Sequence, residues 1–153
     1  MSKFSLSIIV LLSLFWALSG FAKQGLYKKI SPACVEILVG GRLDGSGVIV
    51  CPSGLVLTAC HVIRKQSKKY EALSPQLGRK ELRMLATYRG SDLALLRLPE
   101  RETPYPALPL AKSTPGEGRK VFLFGSPIFR HHLLLSGTVA RRSESFSWYD
   151  GGF

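Results

Sequence analysis

Apolar runs of four to seven residues, separated by glycine, proline and serine, recur along this chain from residue 33 onward. No stretch sustains the 3.6-residue stripe of a three-turn helix, so the run lengths point to an all-β fold. The predicted strands cover 33–39, 47–50, 55–58, 82–88, 92–98, 120–124 and 133–140. Val48-Ile49-Val50 and Leu55-Val56-Leu57 flank Cys51-Pro52-Ser53-Gly54. Proline second and glycine fourth suit a type I turn, which predicts a hairpin. Both arms are apolar throughout, so both faces are expected to be covered, as in a closed barrel. Residues 101–115 carry Pro104, Pro106, Pro109 and Pro115. They cannot form a central strand and read as a linker. Five or six strands precede the linker, enough for a small barrel. The two clear strands after it are too few to close a sheet.

A chain of 153 residues has room for one domain. Hydrophobic residues at 46% and charged ones at 20% exclude a disordered chain. Cys34, Cys51 and Cys60 form no Cys-x-x-Cys pair, which excludes disulfide scaffolds and zinc ribbons. Their odd number allows at most one disulfide, and the sequence does not say which pair would form it.

The first 22 residues read as a segment outside the fold. Lys3 is a short positive start, residues 6–18 are apolar apart from Ser7 and Ser13, and Gly20-Phe21-Ala22 precede Lys23. This is the plan of a secretory signal peptide, so the product is expected to be secreted or periplasmic. An uncleaved membrane anchor over residues 4–22 is the rival reading, weakened by Ser5, Ser7, Ser13, Ser19 and Gly20. Membrane contact is expected only if that segment stays uncleaved. Lys and Arg number 21 against 10 acids, a net charge of +11. The charges are scattered as Lys28-Lys29, Lys68-Lys69, Arg79-Lys80 and Arg141-Arg142 rather than set in a stripe among aromatics. No specific nucleic-acid partner is expected.

His61 follows the strand 55–58 after Ala59-Cys60, and Asp92 opens the run Leu93-Ala94-Leu95-Leu96. An imidazole among apolar neighbours needs a partner for its ring N–H, and a partly buried carboxylate needs a donor. The economical solution pairs them. Such a pairing orients the ring and stabilises its protonated form, as a general base for a hydroxyl nucleophile requires. A structural role for either residue is the alternative on spacing alone. Cys60, beside His61, is expected to be a small buried thiol rather than a nucleophile. His131-His132 is expected to cap an exposed hairpin turn. Cys60, His61 and the His131-His132 pair lack zinc-ligand spacing, so neither metal nor cofactor is expected.

Gly45-Ser46-Gly47-Val48-Ile49-Val50, then Gly54-Leu55-Val56-Leu57-Thr58-Ala59-Cys60-His61-Val62, resembles the "GSGxxI…GxxLTxxHV" segment of trypsin-like serine peptidases, most of all their bacterial HtrA/Deg-type branch. Ser91-Asp92-Leu93-Ala94-Leu95-Leu96-Arg97-Leu98 is similar to that family's "DLALLxL" strand start. Gly125-Ser126-Pro127 followed by Ser136-Gly137-Thr138-Val139 resembles its "GxP…SGxV" hairpin. The resemblance implies two β-barrels with a cleft between them, the first over about 31–100 and the start of the second over about 116–153. It implies a polypeptide substrate, His61 as general base and Asp92 as its orienting carboxylate. The family's nucleophile lies in a Gly-x-Ser-Gly-Gly loop that also supplies oxyanion donors. None of Ser113, Ser126, Ser136, Ser143, Ser145 and Ser147 lies in such a loop, whereas Asp150-Gly151-Gly152-Phe153 resembles the stretch leading into one. The chain is therefore expected to be the N-terminal part of a longer reading frame. By itself it is expected to be inactive and to fold poorly. A catalytically dead, peptidase-like binding protein is the alternative.

Overall fold

The computed structural model describes residues 24–63, 69–127 and 130–140. Residues 1–22, read above as a signal peptide, and 141–153, with Ser143, Ser145, Ser147 and the Asp150-Gly151-Gly152-Phe153 stretch, lie outside the described residues. Residues 24–30 form a short helix. Eight strands follow: β1 (Cys34–Val39), β2 (Arg42–Cys51), β3 (Leu55–Ala59), β4 (Tyr70–Ser74), β5 (Gly78–Tyr88), β6 (Leu93–Arg97), β7 (Lys120–Gly125) and β8 (Leu133–Thr138). The first six close into an antiparallel barrel in the order β1-β2-β3-β6-β5-β4, and β7 and β8 pair as a separate two-stranded sheet.

The turn chemistry sets this order. Gly40 and Gly41, both at positive φ, let β1 reverse into β2 within two residues. At the next reversal Gly54 N–H donates to Cys51 O at 2.9 Å, closing the expected four-residue turn. Gly54 sits at φ +86, and a Cβ there would lie 2.9 Å from the Tyr105 ring. The barrel interior is filled by Ile37, Ile49, Val56, Leu96 and Leu98, each essentially without exposure. Burial alternates along β3 and β6 with a period of two, one face inward and the other half-covered. The expectation that both faces are covered therefore holds only in part: Leu55 and Leu57 are half-buried.

The proline-rich segment is no free linker. Tyr105 N–H donates to Pro52 O, and Leu108 N–H to Ile49 O, both at 2.9 Å. Tyr105 is itself part of the core, with its hydroxyl on Pro99 O at 2.8 Å and the Arg101 guanidinium 3.7 Å over its ring. Prolines keep the segment out of the sheet, and one buried aromatic straps it across the barrel end. The β7–β8 hairpin exposes Phe122, Leu123 and Leu135.

Candidate active site

β3 pairs with β6 so that Ala59 lies opposite Leu93. One step beyond that pair both strands leave the sheet. β3 passes into a 3-10 turn at Cys60–Ile63, and β6 is preceded by a 3-10 turn at Arg89–Ser91 that ends on Asp92. The ladder thus delivers residues 60–61 and 92 to one end of the barrel. Asp92 takes the left-handed conformation (φ 51, ψ 40), which short polar side chains tolerate best. Its own N–H donates to Arg89 O at 3.1 Å, and three contacts tie it to the 3-10 turn that follows β3. Cys60 N–H donates to Asp92 O at 2.9 Å, and His61 N–H donates to Asp92 Oδ1 at 2.8 Å. The third joins His61 Nδ1 to Asp92 Oδ2 at 2.5 Å.

An ionised carboxylate only accepts, so in this pair Nδ1 carries the proton and Nε2 is left as the acceptor. Among the described residues nothing bonds Nε2, and the imidazole is 59% exposed. The ring borders a cavity of about 360 Å³ between the barrel and the hairpin, with Ser46 and Val62 on one wall and Leu123, Ser126 and Leu135 on the other. The structure therefore brings His61 and Asp92 together at a cleft. A hydroxyl placed in that cavity could lose its proton to Nε2 while Asp92 stabilises the resulting imidazolium.

Cys60 is buried at 4% exposure behind this pair. All three cysteines are free thiols. Burial pushes the Cys34 thiol up to about 11. The Ser53 hydroxyl, donating to Cys51 Sγ at 3.2 Å, holds the Cys51 thiol below its ordinary value. Among the described residues, no group of three or more His, Cys, Asp and Glu is arranged to hold a metal ion.

Ser126 and the two adjacent histidines occupy places that sequence reasoning missed. His131-His132 does not cap a free turn. His131 Nδ1 meets Glu36 Oε1 at 2.6 Å, and the Ser126 hydroxyl donates to the same oxygen at 2.7 Å. His132, at φ 54, turns inward, its ring set edge-on to Phe124 with the ring centroids 5.8 Å apart. The available signal was Glu36 itself, a lone acid in the apolar run Cys34-Val35-Glu36-Ile37-Leu38-Val39. Such a residue must find donors elsewhere in the fold.

The trypsin-like peptidase domain model matches residues 45–152. The chain is 31% identical over 124 residues to serine protease HTRA2, mitochondrial, from Bos taurus, an alignment covering 74% of this chain and 27% of that protein. It is 27% identical over 137 residues to serine protease HTRA4 from Homo sapiens, covering 76% of this chain and 26% of that protein. The chain spans about a quarter of the length of these curated relatives. With most of its residues matched by that one model and a closed six-stranded barrel behind the His61–Asp92 pair, the chain belongs to the trypsin-like serine peptidase family, in its HtrA-type branch.

Proposed function

We propose that residues 23–153 contribute the general base and the orienting carboxylate of an exported serine endopeptidase that cuts polypeptides through an acyl-enzyme. The observation that carries this reading is the His61 Nδ1–Asp92 Oδ2 contact at a residue that borders the cleft cavity. In the reaction, His61 Nε2 takes the proton of a serine hydroxyl as its oxygen attacks the scissile carbonyl. It then returns the proton to the leaving amine, and water repeats the cycle on the acyl-enzyme. Asp92 stays ionised, fixes the Nδ1–H tautomer and stabilises the imidazolium.

The 153 residues hold no Gly-x-Ser-Gly-Gly loop. Ser126 cannot stand in for that serine, because its hydroxyl is committed to Glu36 and accepts the His132 N–H at 3.1 Å. A polypeptide of these residues alone is therefore expected to leave amide substrates intact. Reading the coding nucleic acid for about 30 codons past Phe153 tests the proposal. An in-frame Gly-x-Ser-Gly-Gly supports it, and His61→Ala in that longer product should then abolish turnover. A stop codon in independent reads overturns the enzyme reading in favour of a peptidase-like binding protein. N-terminal sequencing of the exported product tests the export step, with a start at Lys23 expected and an intact residue 1–22 segment contradicting it.

A further inference from the structure

Glu36 lies in the middle of β1 with 4% exposure, and nothing in the His61–Asp92 chemistry uses it. Its Oε1 accepts the Ser126 hydroxyl at 2.7 Å and the His131 Nδ1–H at 2.6 Å, and His132 Nε2 stands 3.7 Å away. All three groups come from the connection between β7 and β8. The same connection has a second tie to the barrel. Ser126 N–H donates to Ser46 Oγ at 2.8 Å, and Ser46 O accepts the Thr58 hydroxyl at 2.7 Å. Thr58 is on β3, three residues before His61. Gly125 permits this approach, since a Cβ there would lie only 3.2 Å from Ser46 Oγ. Ser46, Gly125, Ser126 and His61 all border the cleft cavity.

We infer that Glu36 is a positioning residue for the proposed peptidase reaction. Through Ser126 and His131 it holds the hairpin wall of the cleft at a fixed offset from His61. The inference rests on the reading of His61 as base. The physical reason for a buried acid here is direction. An apolar contact between hairpin and barrel could slide, whereas charge-assisted bonds to one oxygen fix distance and angle. Burying a carboxylate is costly and is tolerated only where donors meet it, and here they come from the part that must be placed.

Amide hydrogen exchange on the 153-residue chain tests this with Glu36→Leu and Glu36→Gln. Leucine fills the site and removes the acceptor. It should speed exchange at Ser126, His132 and the β8 amides by roughly 30-fold or more, while Val56 and Leu96 in the barrel stay within about twofold of wild type. Glutamine keeps an acceptor oxygen and should recover part of the protection. The imidazole nitrogen spectrum should show the His131 proton on Nδ1 in wild type and released from it in Glu36→Leu, with the His61 proton unmoved. Equal protection of the hairpin in wild type and Glu36→Leu would overturn the inference. So would a rise of the same factor in the barrel amides, which would make Glu36 an ordinary stabilising residue. Neither readout depends on His61 being a base, so failure of the peptidase reading at the codon level remains a separate result.

Discussion

Gly45 lies on β2, and Val62 lies in the turn that carries His61. A Cβ built on Gly45 would lie 2.5 Å from Val62 Cγ2 and 2.9 Å from Cγ1. Carbon atoms rest about 3.5–4.0 Å apart, so Gly45→Ala demands a shift of roughly 1 Å. Val62 cannot absorb it by rotating. Its χ1 is stiff, both methyls are in the way, and the residue is 7% exposed within the core. The backbone at Cys60–Ile63 must move instead, and with it His61. The φ of Gly45 is not in the left-handed region, so the effect is purely steric.

Overpacking of this kind costs about 1–3 kcal/mol. Taking about 2 kcal/mol, the urea midpoint should fall by about 1 M for an m-value of about 2 kcal/mol/M. The second readout is the His61 Nδ1–H proton resonance, which reports the bond to Asp92 and should shift or broaden. Val62→Ala in the Gly45→Ala background removes both offending methyls, so the double variant should lose less stability than the sum of the two single variants, by a coupling of about 1 kcal/mol or more. The reasoning is refuted if Gly45→Ala leaves the midpoint within about 0.2 M and the His61 resonance in place. Simple additivity of the two substitutions would refute it equally.

Leu96→Ala should cost about 2–5 kcal/mol in chemical denaturation, because Leu96 has no exposure and little around it can collapse into the space. At pH 8, with a thiol-specific alkylating agent and mass spectrometry, Cys51 should react first. Cys34, pushed up to about 11, stays protonated there and should react only as pH approaches that value or on unfolding. Ser53→Ala should slow Cys51 alkylation by removing the hydroxyl that stabilises its thiolate. Leu123→Ser, at a side chain 66% exposed, should lower binding of a hydrophobic dye and concentration-dependent association without loss of the barrel, as followed by sedimentation.

What the sequence made legible was local. The apolar runs fell on strands because one strand face turns inward and much of the other is half-covered. The Cys51-Pro52-Ser53-Gly54 turn and the His61–Asp92 pair were legible because residue type and spacing carried them, β3 and β6 being barrel neighbours. β4 was missed. Tyr70-Glu71-Ala72-Leu73-Ser74 has an acid in its centre, and Glu71 is buried only because Lys69 Nζ, at 3.0 Å, and Arg79 Nε, at 3.9 Å, come to it. β2 begins at Arg42, five residues earlier than expected, and takes in Asp44 and Gly45, types that strands disfavour. Glu36 meets Ser126 and His131 across 90 and 95 residues, a separation that no local pattern encodes. The strap at Tyr105 was hidden for the same reason, because prolines announce the absence of a strand but not what the segment packs on.

Asp92 separates stability from chemistry more sharply than any other residue of the site. Its Oδ1 is committed to the His61 backbone N–H, a donor, so an asparagine in this place has its orientation decided in advance: Oδ1 must face that N–H and Nδ2 must face the ring. Asparagine also tolerates the left-handed backbone that Asp92 adopts. The pair is 59% and 44% exposed, so the loss of charge is softened by solvent, and Asp92→Asn should change folding stability by less than about 1 kcal/mol. The ring responds differently. Nδ2 is a donor, which forces Nδ1 to become the acceptor and drives the proton to Nε2. The nitrogen that must accept a hydroxyl proton is then already occupied, while every distance at the site is nearly preserved. Nitrogen-detected spectra of the imidazoles near pH 8, above the ordinary histidine range, distinguish the two tautomers directly. Wild type should show His61 protonated on Nδ1 and Asp92→Asn on Nε2, with equal unfolding midpoints. A proton remaining on Nδ1 in the variant would mean that Asp92 does not set the tautomer, and the assignment of an orienting role to it would fall.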